Sequence, residues 1–131
     1  MKARFPIAAA AAVALGFAVP ALADNPPKPR SAANCFLFQD WDDWHGAGPS
    51  TIYFRVHVRD FYKMELSSPS NLVTDPTNHL ISRIHGSTWI CSPLDLDLKI
   101  SDGHLTEPLF VKSIVKLTPE QVAAIPPKDK P

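Results

Sequence analysis

The chain is short of the residues that carry most recognisable chemistry. Its 131 residues include two cysteines and five glycines, and thirteen Lys and Arg are matched by thirteen Asp and Glu. That balance removes the electrostatic footprint that nucleic-acid binding or docking on an anionic membrane needs. There is no Cys-x-x-Cys or His-x-x-x-His spacing to start a four-ligand zinc site. No serine sits in a Gly-x-Ser-x-Gly setting, so a hydrolase nucleophile elbow is unsupported. Internal repeats are absent. The one long apolar run, residues 7–19, falls short of the ~20 residues a spanning helix requires.

That run has a specific context. Lys2 and Arg4 precede it, and Pro20 and Ala21-Leu22-Ala23 follow. A positive start, a short apolar stretch and small residues at the end form the pattern of a secretory signal peptide. Cleavage is expected after Ala23, which places the product in the periplasm or outside the cell. It would remove two of the thirteen basic residues and none of the acidic ones, leaving a net charge of −2. No cysteine follows the cleavage position, so no lipid anchor is expected, and no Arg pair marks the twin-arginine route. In an oxidising compartment Cys35 and Cys91 are expected to form a disulfide rather than remain thiols.

Proline is plentiful, with fourteen residues. Residues 24–33 carry Pro26, Pro27 and Pro29, and residues 126–131 repeat that composition around Lys128, Asp129 and Lys130. Both read as unstructured spacers, because such segments bury too little apolar surface to offset their ordering entropy. A single domain is expected over residues 34–125. Within it the period is two. Ile52, Phe54, Val56 and Val58 alternate with polar residues, as do Tyr62, Met64 and Leu66, and a three-residue loop at Arg59-Asp60-Phe61 keeps their faces matched. That register pairs Val58 with Tyr62, Val56 with Met64 and Phe54 with Leu66, and sets Arg55 opposite Glu65. Residues 80–84 and 89–91 read as short strands. Leu94, Leu96, Leu98 and Ile100 form another alternating run, closed by the Asp102-Gly103 turn. A return strand over 109–117 should turn Leu109, Val111, Val115 and Leu117 inward and Lys112 and Lys116 outward. Thr118-Pro119-Glu120-Gln121 carries an N-cap, a proline at the first helical position and a capping-box glutamine. The expectation is an all-β domain, a small barrel or sandwich of about six or seven antiparallel strands with a short C-terminal helix.

Five segments occur in a suggestive order: Cys35-Phe36, Thr51-Ile52-Tyr53-Phe54-Arg55-Val56, Tyr62-Lys63-Met64-Glu65-Leu66, Trp89-Ile90-Cys91-Ser92 and Leu117-Thr118-Pro119-Glu120. Together they resemble an uncharacterised family of short exported bacterial proteins, known only as a domain of unknown function. The resemblance implies an exported β-rich domain with no assigned activity. It also implies a second cysteine pair near Ser68 and Leu109, which this chain lacks. The connection 67–78 is therefore expected to be looser here.

The densest chemistry lies in residues 39–46. Trp41, Asp42, Asp43, Trp44 and His45 place two indoles, two carboxylates and an imidazole side by side. Exposed indoles stack on sugar faces or anchor protein partners, with carboxylates bonding to hydroxyls. The opposing reading makes one tryptophan a plug for the barrel end, with the aspartates closing turn amides. Calcium-loop spacing is missing. His57, His79 and His85 read as surface residues, so no metal and no cofactor are expected. Asp95 and Asp97 share the outward face of one strand, where paired carboxylates serve either acid–base chemistry or solubility. The function expected is a non-enzymatic envelope protein, a binding or accessory module for an envelope protein or a glycan. The alternatives are a secreted inhibitor of an envelope enzyme and a small hydrolase using an Asp/His pair.

Overall fold

The computed structural model describes residues 34–131. The expected signal peptide and the spacer 24–33 lie outside the described residues. Nine strands and one short helix follow in order: β1 (Phe36–Leu37), β2 (Trp41–Gly46), β3 (Thr51–Val56), β4 (Asp60–Leu66), β5 (His79–Ile84), β6 (Trp89–Ile90), β7 (Leu96–Ser101), β8 (Thr106–Leu109), β9 (Val111–Lys116) and α1 (Pro119–Ala123). The domain is all-β, with three antiparallel sheets ordered β2-β3-β4-β9, β5-β7-β8 and β1-β6. The two larger sheets meet at a corner. β8 runs into β9 through Phe110 alone, so one nearly continuous chain serves both layers, as strands do where packed sheets join.

The core follows from alternation. Ile52, Phe54 and Val56 on β3, Tyr62, Met64 and Leu66 on β4, and Leu96, Leu98 and Ile100 on β7 are all buried, and they share one cluster with Leu109. Phe54 sits at its centre, with the Phe36 and Tyr62 ring centroids 5.4 and 5.2 Å away. Burial raises the Tyr62 phenol above its ordinary range, partly countered by the nearby Lys116 ammonium.

Cys35 and Cys91 form a disulfide. β1 and β6 pair Phe36 with Ile90 and Leu37 with Trp89, so the two cysteines occupy the next position in that register. The disulfide thus closes a two-stranded ribbon that holds Phe36 in the core.

Three expectations about register change. The β3–β4 turn is His57-Val58-Arg59, two residues earlier than expected, with Val56 opposite Asp60 and Phe54 opposite Tyr62. Val58 stands 83% exposed instead of lying on the strand. The cause is tertiary. His57 N–H donates to Asp40 O at 3.0 Å, its Nε2 lies 3.0 Å from Asp40 Oδ2, and its φ of 54° is left-handed. Arg55 accordingly faces Phe61, while Glu65 pairs with Lys63 at 2.7 Å. In β9 a bulge opposite Glu65 and Leu66 reverses the face. Ile114 packs on the core, Val115 is exposed, and Lys116 lies opposite Tyr62 with Nζ 2.9 Å from Asp60. Leu94 and Asp95 belong to a 3-10 turn, Pro93–Asp95, where Leu94 is exposed and Asp95 accepts from the Cys91 and Ser92 N–H groups.

The connection 67–78 is held at several points. Val73 inserts into the core, Ser70 N–H donates to Pro49 O, and Asn78 Nδ2 donates to Leu72 O. At its start Ser67 N–H reaches Phe110 O at 2.7 Å, so Ser68 and Leu109 come next along the same two segments. Thr118 caps α1 in the expected capping box. Residues 126–131, expected as an unstructured tail, contain a 3-10 turn (Pro127–Asp129), and Lys130 Nζ stands 5.5 Å above the Phe61 ring.

Two outcomes follow from this packing. Replacing Cys35 and Cys91 together by alanine should cost about 4 kcal/mol for a loop of this length, read as a lower midpoint in urea. Gly46→Ala would set a Cβ 1.9 Å from Val73 O, so it should destabilise by roughly 1–3 kcal/mol in the same measurement.

Candidate functional site

β2 and β5 are the outer strands on one side of the two layers, and they do not pair with each other. Between them lies a cleft of about 360 Å³ lined by Phe38, Gln39, Trp41, Asp42, Trp44, Leu80 and Ser82. β2 supplies the aromatic wall, and its local geometry explains how. Trp41 and Trp44 are three residues apart, so in a regular strand they would point to opposite faces. A bulge falls between Trp41 and Asp43: Trp41 lies opposite Val56 and Trp44 opposite Phe54, on the inner side. Both indoles pack on the core with part of each surface left open. The Trp41 ring lies 4.6 Å from Phe54 at 32°, which fixes its orientation from behind.

The polar groups are arranged around those rings. Asp42, displaced at the bulge, accepts two bonds from Arg55, at 2.8 Å from Nη2 and 3.1 Å from Nε. The pair leaves the cleft mouth with little net charge. Gln39 and Ser82 add an amide and a hydroxyl at the rim. Asp43 lies outside the cleft and uses its Oδ1 to accept the Trp44 N–H at 2.8 Å. His45 stands opposite Tyr53. Of the five residues singled out in the sequence, Trp41, Asp42 and Trp44 meet in one site, while Asp43 and His45 do not line it.

Comparison with protein families, characterised proteins and solved structures finds no match to this chain. The site therefore rests on its own geometry.

Leu80 and Ser82 were not legible as site residues. They lie nearly forty positions downstream of β2, and only the stacking of the two layers brings them to it. Two other sequence candidates are separated or redirected. Asp95 caps a turn while Asp97 lies on β7 opposite Arg83, so they are not a working carboxylate pair. An Asp–His pair does exist, Asp40 with His57, in a hollow of about 170 Å³ beside Cys35. It ties the β3–β4 turn to the 3-10 turn Phe38–Asp40. No three of His, Cys, Asp and Glu gather at metal-binding distance among the described residues.

Because Trp41 is core and wall at once, Trp41→Ala should cost about 3–5 kcal/mol of stability. Arg55→Ala, which breaks a partly exposed pair, should cost less than about 1 kcal/mol. Chemical denaturation of both variants separates the two roles.

Proposed function

We propose that this protein is an exported, non-enzymatic binding module of the cell envelope, and that the β2–β5 cleft is its recognition site. One observation carries the reading. Trp41 is braced from behind by the buried Phe54, and both indoles pack on the core while staying part-exposed in a cleft whose polar groups are an amide, a hydroxyl and an ion-paired carboxylate. Rigid aromatic faces with neutral hydrogen-bonding groups suit a hydroxyl-rich ring more than a cation, since Arg55 already balances Asp42. The ligand class favoured is a glycan.

Export is supported by the leader-like residues 1–23 and by the disulfide, which belongs to oxidising compartments. The resemblance to short exported proteins agrees with the positions of Ser68 and Leu109, where its second cysteine pair would fall on neighbouring segments.

The test is a tryptophan-fluorescence titration with chitin-type oligosaccharides and soluble peptidoglycan fragments, in a Trp89→Phe background that removes the third indole. A saturable shift is expected with one of them, weakened at least several-fold by Gln39→Ala and Ser82→Ala. Absence of any shift with both probes counts against a glycan site.

A further inference from the structure

Among the described residues the two larger sheets leave four edges, and three of them are guarded. Hydrogen-bond parity shows which groups each edge presents. Ala47 N–H donates to Thr51 O, continuing the β2–β3 register, so the even-numbered residues of β2 point their N–H and C=O outward. There the Trp44 N–H is taken by Asp43, and Gly46 lies against the Val73 backbone. β8 is short and contains Pro108, and β9 is bulged and carries Lys112 and Lys116. These are the devices that keep sheet edges from pairing.

β5 has none of them. It is six residues long, in unbroken register with β7, without proline, lysine or a charge on its inner face. His85 N–H donates to Asp95 O at 3.0 Å, extending that register, so the odd-numbered residues bond to β7. The N–H and C=O groups of Leu80, Ser82 and Ile84 therefore face the edge that no other strand covers among the described residues.

We propose that β5 is the interface of a two-fold homodimer, pairing antiparallel with β5 of a second copy about Ser82. This register alone uses every outward group. The two Ser82 residues exchange both backbone bonds, and Leu80 does the same with Ile84 of the second copy, twice by symmetry. A dyad one residue earlier, at Ile81, would leave Ile84 without a strand partner and set His79 against Arg83. About Ser82, the half-buried Leu80 and Ile84 side chains cover each other on the inner face. On the outer face the exposed Ile81 stands opposite Arg83 of the second copy, so no like charges oppose. The three-stranded sheets join, and the two Trp-lined clefts, each walled by Leu80 and Ser82, meet across the dyad. The inference stands whether or not a glycan occupies the cleft.

Sedimentation equilibrium of the oxidised chain over a wide concentration range tests it. The wild type is expected to dimerise. Ile81→Glu places a carboxylate opposite Arg83 at two symmetric positions and should tighten the dimer, while Ile81→Lys should weaken it, each by roughly two- to thirty-fold. Ser82→Cys should give a covalent dimer under mild oxidation, since bonded cross-strand pairs stand about 5.5 Å apart at Cα, within disulfide reach. Ile81 is exposed, so at concentrations where the chain is monomeric its variants should keep the wild-type melting curve. A chain that stays monomeric with Ile81→Glu, or a Ser82→Cys variant that does not cross-link, overturns the proposal and leaves the edge to a strand from a different protein. A dimer weakened equally by both Ile81 variants overturns the register.

Discussion

The packing of aromatic rings around Phe54 is the constraint on which the other features depend. Phe36, Trp41 and Tyr62 approach it from three strands at centroid distances of 5.4, 4.6 and 5.2 Å. Each arrives by a different device. The disulfide ribbon carries Phe36, the β2 bulge turns Trp41 inward, and plain alternation places Tyr62. Large aromatic side chains bury more area than any others, and offset or tilted contacts add to that burial. The same cluster gives the cleft its rigid wall, so the core and the cleft share one set of atoms.

Local irregularities do as much as the regular strands. Bulges in β2 and β9 each reverse which side of the strand faces the core. Without the first, Trp41 and Trp44 would lie on opposite faces and no aromatic cleft would form. The second sends Val115 outward and brings Ile114 in. The early β3–β4 turn belongs to the same group, because Asp40 holds His57 in a left-handed conformation and ends the strand at Val56. All three are set by contacts between residues far apart in the chain or by ladder irregularities, which alternation alone does not reveal.

The edges divide the molecule's surface into closed and open parts. On β2, Asp43 takes the Trp44 N–H and the Val73 backbone closes on Gly46, while β8 and β9 carry proline, a bulge and lysines. β5 keeps its outward groups available beside the cleft. Among the described residues, an unpaired ladder and an aromatic cleft lie on the same side of the domain.

The β class, the inward residues of β3, β4 and β7 (Val58 and Leu94 apart), the cysteine pair and the capped C-terminal helix were legible from the chain alone. These depend on alternation, spacing and capping chemistry, which are local. The sequence also singled out Trp41, Asp42 and Trp44. Tertiary structure decided the rest: that Asp43 and His45 leave the site, that Leu80 and Ser82 enter it, and that β5 is the open edge. Those outcomes follow from bulge positions and from how two sheets stack, and both are properties of contacts across the fold rather than of any stretch of chain.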